Sequence, residues 1–152
     1  MSSGIGDILS VECAEIDVSV SSKKKLLEYL GQQISRQLPA STADDIFERL
    51  LNRERLGSTG IGEGIAIPHC RLPACDKAFG VLLRLEQAID YDAIDRQPVD
   101  LVFALLVPEE ATDEHLQVLS MLARNFSEAE FRQALRNAPD SKQLYQRALK
   151  AI

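Results

Sequence analysis

The side chains of this sequence that could carry chemistry at neutral pH are few. There are two histidines, His69 and His115, and three cysteines, Cys13, Cys70 and Cys75. Neutral imidazole is a good nucleophile near pH 7, because its reference pKa is about 6.5. His69 directly follows the short apolar run Ile65-Ala66-Ile67 and Pro68. The proline is expected to stop a strand there, so that the chain leaves the sheet at His69, where a rigid base can present a reactive group. His115 falls in the first turn of a helical pattern, a place that favours anions through free backbone N–H groups and the helix dipole. Arg53 ends another helical pattern just before a glycine-dense stretch. Its planar guanidinium suits it to grip a phosphate. Arg55, two residues on, competes for the same role, and the sequence leaves the choice between them open. The bland alternative is that each histidine is a surface or hydrogen-bonded core residue.

Cys70 and Cys75 beside His69 raise the question of a metal. Their spacing has four residues between the thiols and only His115 as a distant further ligand, unlike the tighter pairs of structural zinc sites. No metal and no cofactor is expected, and the thiols read as small buried or indifferent groups. The stretch Gly57-Ser58-Thr59-Gly60-Ile61-Gly62-Glu63-Gly64 is not a nucleotide loop: no Gly-Lys-Ser/Thr follows it, nor the helix of a dinucleotide fingerprint. Four glycines in eight residues disfavour both helix and regular strand. They point to close backbone approach, to another strand or to an anion. Asp92, Asp95 and Asp100 read as turn and strand-edge residues, Glu109-Glu110 as a solvated turn, and Lys23-Lys24-Lys25 as a solvated helix face.

The elements that would position these groups follow from periodicity. Ile5 to Val20 reads as loop and strand. Leu26, Leu30, Ile34 and Leu38 make the apolar face of a helix that opens at Ser22 and stops at Pro39. Thr42, with Asp45 three residues on, caps a second helix that carries Ile46, Phe47, Leu50 and Leu51. Phe79 to Leu85 is expected as a strand. Val99 to Val107 is nearly continuous in apolar residues, as in a strand buried on both faces. Three helices should close the chain, starting near Thr112 or Asp113, at Ser127 and at Ser141, the last presenting Leu144, Tyr145, Ala148 and Ile152. These elements predict an α/β fold, a single-domain sandwich over residues 1–152 with a mixed β-sheet flanked by helices.

Composition narrows the partners. The 152 residues have 45% apolar content and suit one core of ordinary size. The net charge of −6, with no basic cluster, argues against nucleic acid and would steer a basic protein toward the chain. The longest apolar run, Leu101 to Val107, is far short of the roughly 20 residues of a membrane helix. Ser2-Ser3-Gly4 does not open a secretory signal, and an odd number of cysteines fits a reduced, cytoplasmic setting.

The ungapped stretch from Arg53 through Gly57-Ser58-Thr59-Gly60-Ile61-Gly62-Glu63-Gly64-Ile65-Ala66-Ile67-Pro68 to His69 resembles the active-site signature of phosphotransferase-system enzyme IIA domains of the mannitol/fructose type. The run Gln97 to Pro108 and the pair His115-Leu116 are similar to the same family. Ser58-Thr59-Gly60-Ile61-Gly62 and Phe103 to Pro108 look most like its nitrogen-regulatory branch. The resemblance implies that His69 is the phosphoacceptor, modified on Nε2, that Arg53 neutralises the phosphate and that His115 is the second active-site histidine. It also implies that Ser58 and Thr59 contact the phosphoryl group. An HPr-like phosphocarrier of the nitrogen branch (NPr) would be the donor. The output would be regulation of target proteins such as transporters or kinases, with the chain a phosphocarrier rather than a turnover enzyme. Two alternatives remain: a sugar-transport IIA subunit that passes the group to a IIB domain, and a small metal-binding or structural module.

Overall fold

A computed structural model describes residues 4–110 and 113–150. Ten residues in the second half of the sequence, Val99–Pro108, form strand β6, and its neighbours are built around it. Every residue from Leu101 to Leu106 is fully buried, so both faces of β6 are covered, as its unbroken apolar run requires. Strand β5, Phe79–Ile89, pairs with it antiparallel, and β1, Ala14–Val18, lies parallel to β5 on the outside. The other edge of β6 is shared end to end by two short parallel segments, β3 (Ile65–Ala66) and β4 (His69–Leu72). Strand β2, Gly60–Gly62, closes that side as the antiparallel partner of β3. The order is β1-β5-β6-β3-β2 with β4 also on β6: an open, mixed sheet of six strands.

Among the described residues, five α-helices flank it. Helix α1 (Lys23–Gln37) starts at Ser22, whose hydroxyl accepts Lys25 N–H, and buries Leu26, Leu27, Leu30 and Ile34. Helix α2 (Ala43–Arg55) starts at Thr42, whose hydroxyl accepts Asp45 N–H, and packs on α1 and β4. Near the C-terminus come α3 (Asp113–Phe126), α4 (Ala129–Arg136) and α5 (Ser141–Ala148). Helix α4 packs between α3 and α5, and α5 reaches β1. The α/β sandwich with a mixed sheet is thus the one expected.

Several local expectations need correction. Helix α4 does not start at Ser127; that hydroxyl donates to the Arg124 carbonyl and belongs to the end of α3. Helix α5 does start at Ser141, as expected, and Asp140 caps it, because its carboxylate accepts Gln143 N–H. Residues 5–20 include two short 3₁₀ turns besides β1. Thr112 and Ile152 lie outside the described residues.

The glycine stretch is a hairpin rather than a bare loop. Gly62 pairs with Ile65 across a two-residue turn in which Glu63 and Gly64 have φ of 59° and 79°. Positive φ at both positions is what tight hairpin turns of this length need. A Cβ on Gly64 would also lie 2.8 Å from Asp100 Oδ1. At Gly64 the close approach is thus to Asp100 and Arg136.

Candidate functional site

Pro68 sets the local geometry at His69. It interrupts the edge segment between β3 and β4, yet its carbonyl still accepts Leu105 N–H at 2.9 Å. The chain consequently does not leave the sheet at His69, contrary to the sequence expectation. His69 opens β4 and pairs with Leu105. Just upstream, Ile67 donates its N–H to the Thr59 carbonyl at 3.0 Å, and its own carbonyl sits 2.7 Å from His69 Nδ1. A carbonyl only accepts, so Nδ1 carries the proton. In the neutral ring, Nε2 is then the nitrogen with a free lone pair.

Arg53 meets that lone pair. Its Nε–H donates to His69 Nε2 at 3.3 Å, and its Nη1 donates to the Gly57 carbonyl at 3.0 Å. Arg55 lies elsewhere, donating to Asn52 Oδ1 at 2.9 Å on an exposed surface. Only Arg53 of the two touches His69. His115 is half-buried in the first turn of α3, and its buried Nδ1 has no hydrogen-bond partner among the described residues.

Electrostatics favour the neutral ring. Burial is the main influence holding His69 below the ordinary 6.5, and the neighbouring Arg53 and His115 act in the same direction. The Ile67 carbonyl and the Glu54 carboxylate oppose them. The ring is thus kept neutral, with its nucleophilic nitrogen aimed at a guanidinium.

The two loop hydroxyls have other partners. Thr59 is buried; its N–H donates to Glu54 Oε1 at 3.1 Å, its hydroxyl donates to Glu54 Oε2, and Tyr91 Oη is 3.0 Å from its Oγ1. Both donors of Thr59 are thus engaged by the Glu54 carboxylate. Ser58 is half-buried, with its hydroxyl 3.4 Å from the Tyr91 carbonyl and accepting Gly60 N–H at 3.1 Å. Its bond to Tyr91 is long enough to exchange.

Three residues of this region escaped the sequence reading: Lys23, Glu54 and Tyr91. Lys23 is no solvated helix residue, since its Nζ lies 2.8 Å from Glu54 Oε1 and 4.6 Å from the centroid of the Tyr91 ring. Lys24 and Lys25 are exposed, as expected. Glu54 carried a legible signal. It continues the Ile46–Leu50 spacing of four, which puts a carboxylate on the apolar face of α2. Asp100 likewise is more than a strand-edge residue, because Arg136 donates to both its oxygens, at 3.0 Å from Nε and 2.8 Å from Nη2.

The thiols are free, and burial pushes Cys70 up to about 12 and Cys75 up to about 11, so neither is a thiolate at neutral pH. Among the described residues, no group of three or more His, Cys, Asp or Glu side chains could hold a metal ion, and no helix is long and apolar enough to cross a membrane.

Fold and site together define a small mixed α/β protein with a histidine–arginine pair at the edge of its central strand. Residues 7–151 match the family described as phosphoenolpyruvate-dependent sugar phosphotransferase system, EIIA 2, and the chain belongs to that family. A nitrogen regulatory protein of Pseudomonas aeruginosa is 49% identical over 131 residues, covering 86% of this chain and 85% of that protein. The crystal structure of nitrogen regulatory protein IIA-Ntr from Neisseria meningitidis superposes with a TM-score of 0.86 at 41% identity, covering 95% of this chain and 98% of that one. A fructose-specific EIIA component of Haloferax volcanii is 33% identical over 151 residues, covering 97% and 96%.

Proposed function

We propose that this chain accepts a phosphoryl group on Nε2 of His69 from a phosphorylated HPr-like carrier, and that its phosphorylation state governs its binding to regulatory targets in the nitrogen branch of the phosphotransferase system. The observation that carries the reading is the pairing of the two ring nitrogens, Nδ1 on the Ile67 carbonyl and Nε2 on Arg53. The Nε2 lone pair attacks phosphorus in line, the N–P bond forms, and the bond from phosphorus to the carrier breaks with its electron pair left on the carrier. The proton stays on Nδ1, hydrogen-bonded to the Ile67 carbonyl, whose dipole offsets the positive charge that the ring gains. Arg53 moves from the nitrogen to the equatorial oxygens, and the half-buried His115 supplies a second donor. Positioning and charge stabilisation suffice for such a transfer, with no covalent help from elsewhere.

The nitrogen branch is supported by the two relatives named nitrogen regulatory proteins. The sugar-transport alternative, in which the group passes on to a IIB domain, is favoured by the fructose-specific relative. The whole chain acts as one phosphoacceptor domain, in the cytoplasm where carrier and targets reside. The test is intact mass after incubation with a phosphorylated HPr-like carrier. Wild type should gain one acid-labile phosphoryl group, His69→Ala none, and Arg53→Lys the same group more slowly, since a point charge replaces a fork. Uptake by His69→Ala, or normal uptake by Arg53→Lys alongside slow uptake by Arg55→Lys, overturns the assignment. Efficient onward transfer to a sugar-specific IIB domain would decide for transport.

A further inference from the structure

Glu54 is a carboxylate in a place where packing alone would call for an apolar residue. It is 7% exposed at the end of α2, directly after Arg53. Three donors from two other segments converge on it: Lys23 Nζ at 2.8 Å from the start of α1, and the N–H (3.1 Å) and hydroxyl of Thr59. Tyr91 completes the cluster, with its hydroxyl on Thr59 and its ring beneath the Lys23 ammonium. An ion pair so buried is weak evidence for stability, because well-packed apolar residues of the same volume often serve as well or better. Its geometric consequence is clearer. Thr59, held on Glu54, accepts Ile67 N–H, and Ile67 accepts His69 Nδ1–H. An unbroken hydrogen-bonded path therefore runs from Lys23 through Glu54, Thr59 and Ile67 to the imidazole. The same carboxylate anchors the helix end that carries Arg53, whose Nη1 in turn holds Gly57, two residues before Thr59.

We propose that Glu54, clamped by Lys23, Thr59 and Tyr91, is a positioning residue for phosphoryl acceptance: it sets the ring orientation and tautomer of His69 and the reach of Arg53, without touching the phosphoryl group. This rests on the reading of His69 as the acceptor. The charged groups that bear on His69 among the described residues are Arg53 and Glu54 on α2 and His115 on α3.

The experiment compares wild type with Glu54→Gln, Lys23→Met and Tyr91→Phe. Three quantities are followed: the rate of phosphoryl uptake from a phosphorylated HPr-like carrier, thermal unfolding, and nitrogen-15 NMR of the His69 ring in the unphosphorylated protein. Glu54→Gln and Lys23→Met should slow uptake about tenfold at saturating carrier, the effect of a small misplacement of reacting groups, and should mix the His69 tautomers. Glu54→Gln should in addition lower the His69 titration midpoint, because the lost carboxylate favoured the imidazolium. Tyr91→Phe keeps the ion pair and should show the tautomer change with a smaller loss of rate. If the variants merely melt at lower temperature, with wild-type uptake and an unchanged His69 tautomer below their transitions, the proposal is overturned. Should Glu54→Gln not fold, Tyr91→Phe and Lys23→Met decide by the same criteria. A wild type that takes up no phosphoryl group would sink the functional reading alone, and the ring tautomer and midpoint would still decide whether Glu54 positions His69.

Discussion

The two nitrogens of His69 have separate tasks, and the backbone assigns them. The Ile67 carbonyl accepts a hydrogen bond from Nδ1–H at 2.7 Å, leaving Nε2 to Arg53. Neither nitrogen could serve if the ring were protonated, and burial together with Arg53 and His115 opposes that proton. The sign of the pH dependence follows. A depressed pKa keeps the neutral, nucleophilic form populated to more acidic pH than free histidine allows, so uptake should stay level through pH 6.5 and decline only below it. An NMR titration of His69 should show a midpoint under 6.5; a midpoint at or above that value would mean that the ring is not held as described. Removing the adjacent charge in Arg53→Met should move the midpoint upward.

Among the elements, the β2–β3 hairpin does most to set the site. Its turn is anchored from three directions: Glu63 N–H on Asp95 (3.0 Å), the Glu63 carbonyl on Arg136 Nη2 (2.6 Å), and the Gly64 carbonyl on Asp100 N–H (3.0 Å) and Leu101 N–H (3.1 Å). Helix α4 therefore braces, through Arg136, the turn that leads into β3, Pro68 and His69. Gly64→Ala places a side chain at positive φ against Asp100. It should cost about 1–3 kcal/mol in urea unfolding. Gly4→Ala, where a new Cβ meets nothing within 4 Å, should change stability by less than about 0.5 kcal/mol. Equal effects at the two positions would mean that the turn is not constrained. Helix ends and this hairpin were the elements least legible beforehand. Ser127 offers a capping side chain at such a boundary, and only the packed chain assigns it to the end of α3 and starts α4 at Ala129.

In the molecule as a whole, stability and site share one strand. β6 carries β5 on one edge and β3 and β4 on the other, so Leu105 lies between Gly80 and His69 in the ladder while its side chain is fully buried. Leu105→Ala should lower unfolding free energy by about 2–5 kcal/mol, the range for truncating a core leucine. Ile94→Ala, at a position 81% exposed, should leave it nearly unchanged. A loss at Leu105 no larger than at Ile94 would contradict the central place of β6. The net charge of −6 becomes more negative once a phosphoryl group is added, by roughly 1.5 to 2 charges at neutral pH. Such a step can change which partners bind without any rearrangement of the fold.

Local chemistry and periodicity were enough to specify much of this protein. The apolar run of β6, the caps at Ser22 and Thr42, and the spacing of four in α1 declare their elements because each depends on near neighbours in sequence. The stretch from Arg53 to His69 also pointed to the family, because its signature lies within one segment, and the family match bears that out. Tertiary structure decided the rest. It set Arg53 rather than Arg55 against His69, engaged both Thr59 donors on Glu54, kept His69 in the sheet, and brought Lys23, Glu54 and Tyr91 into one buried cluster. The cause is the same in each case. Lys23 lies 31 residues before Glu54, and Tyr91 lies 32 after Thr59; which donor meets which acceptor across such separations depends on how helices and sheet pack, and no local pattern encodes it.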